Sequence, residues 1–324
     1  MRDSYSYVSG PRMVQEFTGV PIDPETLGGA GKHAQMSGLA SFVVPDLDSA
    51  SEIVDELLGL LPSNSSETPP TSVTSDPADR SLTDIQNVIP DSKTGSYDMR
   101  HIIQQVVDDQ ILTEIRKDWA TNLITALCTV NGNTVGIVAN QPQSLAGTLD
   151  ISASQKGARF VNFCDAFNIP IITFVDTPGF QPGKDLEWRG MIRHGAQLAF
   201  AYANSTIPRI CVTVRKSYGG AYIVMDSKYM GNDLAFAWPS AEIAVMGAKG
   251  AIEILNRKAS QSDRAQLESD YESRLLNPYQ AAERGSVDSV IHPEDTRVEV
   301  STALDFLLSK REKLQKRLHS NTPL

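Results

Sequence analysis

The feature that most limits how this chain can fold is a β-branched apolar run, residues 207–214, which ends at Arg215 and is closely followed by two adjacent glycines, Gly219 and Gly220. A run of that length and composition reads as a buried strand, and the glycines allow the backbone to turn sharply into a helix expected to start near Ala221. A helix start leaves N–H groups without intrahelical acceptors and carries the positive end of the helix dipole. It can therefore stabilise an oxyanion above the sheet with no side chain taking part. The competing reading is that the glycine pair only lets helix and strand pack closely, since such turns are common.

The same unit recurs upstream. Residues 123–130 and 134–139 flank Asn131-Gly132, a dipeptide suited to the positive φ values of a type I′ hairpin turn. An alanine-rich helical stretch, 150–167, then leads to an apolar strand, 170–175, and a helix at 197–203 leads back into the 207–214 strand. Repeated units of this kind predict a mostly parallel sheet with helices covering its faces. Asp176-Thr-Pro-Gly-Phe180 then falls at the carboxyl end of a strand, where ligands bind in open α/β sheets. Gly179 and Phe180 are expected to offer backbone N–H groups that meet those of Gly220 and Ala221. Asp176 reads either as a general base or as a loop cap that bonds its own backbone. Further on, residues 243–246 read as a strand ahead of Gly247-Ala-Lys-Gly250 and a helix at 251–256. A helix start beside Lys249 suits a phosphate or carboxylate, although the spacing is not that of a P-loop and a solvated lysine explains it equally. His194 is a candidate for substrate contact, whereas His101 has no partner near it in sequence and reads as a packing or solvent-facing residue.

The chain has 324 residues, 41% of them hydrophobic and 21% charged, which is enough to bury a sizeable core. Its formal net charge of -10 offers no basic surplus to replace phosphate counterions, which argues against a nucleic-acid partner. No apolar run approaches the ~18 residues of a membrane span and the first residues carry no basic-then-apolar leader, so a cytoplasmic protein is expected. Cys128, Cys164 and Cys211 lie far apart in apolar stretches. They read as reduced core residues, and with no Cys-x-x-Cys pair no metal is expected.

Composition divides the chain into residues 1–61, 62–95 and 96–324. In the first part, Ile53, Val54, Leu57, Leu58 and Leu61 fit one face of an amphipathic helix, expected to pack outside the rest of the chain and leave an apolar face exposed. Residues 62–90 are rich in Ser, Thr, Pro, Asn and Asp, cannot bury enough apolar surface to fold alone, and read as an interdomain linker. Asp98 is placed to cap a helix carrying Ile102, Ile103, Val106 and Val107. The tail predicts helices at 263–276 and 296–318, with Leu304, Phe306, Leu307 and Leu308 expected against a neighbouring subunit.

Longer motifs carry a resemblance. Gly219-Gly-Ala-Tyr-Ile-Val-Met225, Phe236-Ala-Trp-Pro239, Ile243-Ala-Val-Met-Gly247, Asn277-Pro-Tyr279 and Ala281-Ala-Glu-Arg-Gly285 occur in order. With Lys156, Ala158-Arg-Phe160, Asp176-Thr-Pro-Gly-Phe-Gln-Pro-Gly183 and Asn321-Thr-Pro-Leu324, they resemble the carboxyltransferase (β) subunits of biotin-dependent acyl-CoA carboxylases, of the acetyl-CoA and propionyl-CoA carboxylase type. The resemblance implies a crotonase-like ββα spiral for residues 96–324, the biotin-side domain. It also implies that Gly10-Pro-Arg-Met-Val14, Leu27-Gly-Gly-Ala30 and their surroundings, residues 1–61, are the closing part of a preceding domain of the same kind that supplies the acyl-CoA side.

The implied activity is transfer of CO2 from carboxybiotin, carried on a partner subunit, to the α carbon of acetyl-CoA or propionyl-CoA. Negative charge builds on an oxygen in each step, so two holes lined by backbone donors suffice, each well-placed donor being worth on the order of 3 kcal/mol. By resemblance Gly220 and Ala221, with Gly179 and Phe180, are the catalytic donors, and Gly219, Tyr222, Ile223, Gly247 and Ala248 bind substrate. Ile223 matches a position lining the acyl pocket, where an acidic residue accompanies propionyl preference and an aliphatic one suits acetyl-CoA or both; a core-packed helix residue is the alternative. Biotin carboxylase and biotin carboxyl carrier subunits, a homo-oligomer and a place in fatty acid metabolism are implied with it. A non-catalytic assembly subunit, or a carboxybiotin-linked decarboxylase or transcarboxylase subunit, is the other reading.

Overall fold

The computed structural model describes residues 1–92, 94–257, 259–312 and 323. Among them, one eight-stranded sheet runs in the order β1-β2-β3-β4-β5-β6-β8, with β7 paired to the carboxyl end of β5. The strands are β1 Thr113–Glu114, β2 Leu123–Val130, β3 Asn133–Asn140, β4 Ile171–Thr177, β5 Arg209–Tyr218, β6 Leu234–Ala237, β7 Glu242–Ala244 and β8 Ser289–Val290. The first three are antiparallel neighbours, and from β3 onward every pairing is parallel. The helices that matter here are α1 Leu47–Leu60, α2 Met99–Val106, α3 Ile151–Ala166, α4 Met191–Asn204, α5 Gly219–Val224, α6 Ala248–Leu255 and α7 Thr296–Leu307.

Local chemistry explains the turns. Asn131 and Gly132 both hold positive φ, 50° and 76°, as a type I′ turn requires, and Val130 pairs with Asn133. Asp98 and Asp150 cap α2 and α3 by accepting the N–H groups of Arg100 and Ala153. The period-two alternation of the strands then sorts the core onto two faces. Ile172 and Phe174 of β4 join Ile137, Val212 and Val214 under α2 and α7. Ile171 and Val175 face the other way, with Leu123 and Leu127, under Phe160, Val161 and Cys164 of α3 and Leu198 and Tyr202 of α4. Both sheet faces are covered, which is why the parallel strands read as near-continuous apolar runs.

The stretch expected as a linker is packed against this body. Leu82 and Ile85 are buried in the α2/α7 core, and the Leu82 N–H donates to the Glu294 carbonyl at 3.1 Å. Arg297, fully buried, donates to the Pro77 and Asp76 carbonyls at 2.9 and 3.1 Å and to the Asp108 carboxylate at 2.7 Å. Residues 1–61 rest on the loop before β2: Gly38 lies against Trp119, and Arg116 Nε donates to the Gly38 carbonyl at 2.7 Å. Beneath that loop Lys156 of α3, 1% exposed, donates to the Trp119 and Leu123 carbonyls at 2.8 and 2.7 Å. Burial lowers its pKa to about 8.

The amphipathic helix α1 divides its apolar residues. Leu57 and Leu60 pack on the α3/α4 side of the core while Val54 and Leu58 stay exposed. The tail corrects an expectation: Leu304 and Leu307 fill this chain's own core and only Phe306 and Leu308 are exposed, because α7 lies directly on the sheet. Residues 313–318 of the expected helix, and most of the Asn321-Thr-Pro-Leu324 motif, lie outside the described residues. The three cysteines are buried and free, and burial raises the thiol pKa of each. Among the described residues no helix is long and apolar enough to cross a membrane.

Candidate active site

The carboxyl ends of β4 and β5 are locked together by one carboxylate. Pairing between these strands shifts register between Val175 and Thr177, and Asp176 occupies the irregularity, 1% exposed. Its Oδ1 accepts the Lys216 N–H at 3.0 Å, while Oδ2 accepts Arg215 Nε at 3.0 Å and the Tyr97 hydroxyl at 2.9 Å. The Asp176 N–H donates to Asn140 Oδ1 at 3.2 Å. Arg215 also donates to the Gly95 carbonyl at 2.9 Å and stacks over the Tyr97 ring at 5.0 Å. Burial, and then the charge of Asp176, pushes the Tyr97 phenol well above its ordinary range. Asp176 is structural, but not as the cap of its own loop: its oxygens are engaged by three donors from β5 and Tyr97, and it fixes two strand ends and the 95–97 segment at once.

Two glycine turns grow from these strand ends. After β4, Gly179 takes a φ of 141° and its N–H donates to Thr177 Oγ1 at 3.3 Å. The loop is pinned to Leu149, whose N–H donates to the Gly179 carbonyl at 3.1 Å and whose carbonyl accepts the Gln181 N–H at 2.8 Å. Phe180, between them, has an N–H with no acceptor among the described residues. After β5, Gly219 adopts φ 62° and opens α5, which starts two residues before the expected position and ends after six residues, ahead of Asp226 at φ 57°. The N–H groups of Gly220 and Ala221 likewise have no acceptor among the described residues.

The Phe180 ring joins the two turns. A Cβ at Gly220 would stand 3.4 Å from that ring, and one at Gly195 of α4 would stand 3.0 Å from it. The Phe180 ring is thus brought beside Gly220, which stands between Gly219 and the buried Ala221. Gly195 was not singled out from sequence; its one visible signal was a glycine inside an otherwise helical run. The third group arrives through β7. A Cβ at Gly219 would lie 3.2 Å from the Val245 carbonyl, and one at Gly247, the cap of α6, would lie 3.4 Å from the Tyr218 ring. Ala248 is buried behind it and Lys249 is exposed. The Tyr218 hydroxyl donates to the Glu242 carboxylate, a partnership that sequence reasoning did not find.

Tyr222 is half-buried and meets Tyr229, in the segment after α5, edge to face at 6.3 Å. Ile223 is 43% exposed, so it is not the core-packed residue of the alternative reading. His194 Nδ1 lies 3.1 Å from Gln197 Oε1 and 3.3 Å from Gln155 Nε2, and His101 is exposed. Beneath α5, Asp226 is fully buried against Arg209, and burial raises its pKa to about 6. No group of three or more His, Cys, Asp or Glu residues is placed to hold a metal ion among the described residues. What the site offers is a set of unpartnered backbone donors at the carboxyl ends of adjacent parallel strands, suited to an oxygen on which negative charge develops.

The chain is similar to known proteins in sequence and fold. Residues 1–322 match the carboxyl transferase domain family. The chain is 46% identical to the propionyl-CoA carboxylase beta chain of Saccharopolyspora erythraea, over 99% of this chain and 62% of that one. It is 44% identical to the methylmalonyl-CoA decarboxylase subunit alpha of Veillonella parvula, over 99% of this chain and 63% of that one. Its fold superposes on the crystal structure of transcarboxylase 12S, a hexamer solved with methylmalonyl-coenzyme A and methylmalonic acid bound, at a TM-score of 0.96 and 42% identity, covering 99% of this chain and 62% of that one. The chain therefore spans about three fifths of the length of these relatives.

Proposed function

The chain belongs to the carboxyl transferase family, and from that premise we propose that it moves a carboxyl group between biotin and the α carbon of a short-chain acyl-CoA. The crotonase-like ββα spiral is the scaffold. The observation that carries the reading is a pair of glycine turns at the ends of adjacent parallel strands, where the N–H groups of Phe180, Gly220 and Ala221 have no acceptor among the described residues and the Phe180 ring lies beside Gly220. Biotin, when carboxylated, supplies the activated carboxyl group. This chain's contribution is to hold donors where charge collects on oxygen, with Gly220 and Ala221 on the biotin side and Gly179 and Phe180 beside them. Gly179 fits the role less directly, since its own N–H is turned onto Thr177; it shapes the turn that presents Phe180. Gly219, Gly247 and Ala248 frame the same face, and the exposed Ile223, with Tyr222 behind it, borders the acyl group.

The relatives are named for propionyl-CoA and methylmalonyl-CoA, which supports a three-carbon acyl group ahead of acetyl. The donors serve transfer in either direction, because the same charge develops both ways. The same reading carries a biotin carrier and a biotin carboxylase as partners, several copies of this chain in the assembly, a cytoplasmic place in acyl-chain metabolism, and no metal in this chain. It also takes residues 96–324 as the biotin-side domain and residues 1–61 as a separate unit, joined by the packed strap of residues 62–95. The test is transfer of a labelled carboxyl group from methylmalonyl-CoA to free biotin. Label appearing in biotin, faster than from malonyl-CoA, is the expected result. No label from either thioester in the assembled protein overturns the reading.

A further inference from the structure

We propose that Val245 is a specificity-determining residue, which together with Ile223 receives the methyl branch on the reacting carbon of a methylmalonyl or propionyl thioester; this rests on the carboxyl transfer proposed above. Val245 follows directly on β7. Tyr218 pairs with Ala244 in the parallel ladder, so the next residues in register are Gly219 and Val245. They do meet: a Cβ at Gly219 would stand 3.2 Å from the Val245 carbonyl, and no side chain separates the two backbones there. Ile223 lies one helical turn beyond Gly219, and residues four apart share one face of a helix. A helical side chain leans toward the amino end of its helix and covers the turn before its own Cα. Ile223 is thereby placed over the 219–220 turn, on the helix face that meets the Val245 segment.

Val245 is 78% exposed, and Ile223 is exposed as well. Two exposed aliphatic residues at unrelated places would need no explanation. These two border the same glycine turn, whose Gly220 and Ala221 N–H groups have no acceptor among the described residues. Small-molecule sites have this make-up, with apolar walls around a few placed polar groups. Of the two reactants, biotin presents polar atoms at its reacting end, a ureido nitrogen and the carboxyl group. The thioester presents its α carbon, and in a three-carbon acyl group that carbon carries a methyl. An apolar pair beside the donors suits the methyl. An acetyl or malonyl group has only hydrogen at that place and forgoes the contact.

The experiment measures kcat/KM for methylmalonyl-CoA and for malonyl-CoA, each with free biotin, in the assembled protein as wild type, V245A and V245T. Alanine removes both methyl groups, whereas threonine keeps the branched shape and exchanges one methyl for a hydroxyl. A methyl fully enclosed in an apolar pocket is worth roughly tenfold or more, and Val245 supplies one wall of two, so the preference for methylmalonyl-CoA over malonyl-CoA should fall about fivefold in V245A and about threefold in V245T. With its side chain in solvent, Val245 can be replaced without loss of the fold, and the thermal midpoint should stay within about 2 °C of wild type. An unchanged preference in both variants overturns the assignment, whether the two thioesters keep their rates or lose them equally. A change confined to KM for biotin overturns it too and puts Val245 on the biotin side. Wild-type protein that moves no carboxyl group onto biotin overturns the proposed function instead.

Discussion

Replacing Asp176 with asparagine separates a structural carboxylate from a chemical one. Its two oxygens serve Tyr97, Arg215 and the Lys216 N–H at 2.9–3.0 Å, with the Arg215 side chain 10% exposed. Asparagine keeps one acceptor oxygen and loses the charge, which leaves a buried guanidinium without its counter-ion; among the described residues its other partners are the Gly95 carbonyl and the Tyr97 ring. Removing one partner of a buried pair costs about 3–5 kcal/mol, and the surviving acceptor places D176N near the lower end. At about 2–4 °C per kcal/mol for a domain of this size, the melting midpoint should fall by roughly 6–12 °C. The diagnostic variant is D176N/R215M. If the cost is the stranded cation, removing it should return part of the lost stability, measured by urea denaturation of the three proteins side by side. Carboxyl transfer in surviving folded D176N should fall without a change in the shape of its pH profile. A loss of stability below about 1 kcal/mol together with abolished activity would refute the structural assignment and restore Asp176 as a base.

Three other outcomes follow from the geometry. Lys156 is held at a pKa of about 8 against an ordinary 10.5, so the unfolded chain binds its proton more tightly between those values; its contribution to stability should rise by about 3 kcal/mol as pH increases from 8 to 10.5. That rise is read as the difference between wild type and K156M in denaturation at each pH, since the buried thiols and Tyr97 contribute with the opposite sign. G195A places a methyl group 3.0 Å from the Phe180 ring and should push it toward Gly220, costing about 1–2 kcal/mol in stability and a larger share of carboxyl transfer, readable from kcat against thermal midpoint. G219A must hold φ near 62° beside the Val245 carbonyl, at a cost of roughly 1–2 kcal/mol, and its activity should drop while hydrogen exchange in β2 and β3 is unchanged.

The strands and their turns were legible because their causes are local. Asn131-Gly132 announces its own turn, and apolar runs such as 171–175 can hardly be anything but strands between covering helices. The turns at Gly179 and Gly219 were legible too, although the Gly179 N–H, expected to point at Gly220 and Ala221, is turned onto Thr177. What escaped was set by distance along the chain. Tyr97 and Asp176 are 79 residues apart and Asp176 and Arg215 are 39 apart, so nothing in either neighbourhood signals the triad. The polar stretch 62–90 hid Leu82 and Ile85, two apolar residues among many polar ones, which suffice to fasten it to the core. In α7 the spacing identified an apolar face but not its owner, since a helix reads the same whether it covers its own sheet or another chain's.

The sheet ends at both margins in strands of two residues, β1 and β8. So short a border gives an incoming strand almost no ladder to extend, which blocks the commonest route to runaway polymerisation. A protein that docks on this chain finds helices and loops there rather than a long strand edge. Such contacts can be made and broken without disturbing the strands that hold the glycine turns in place.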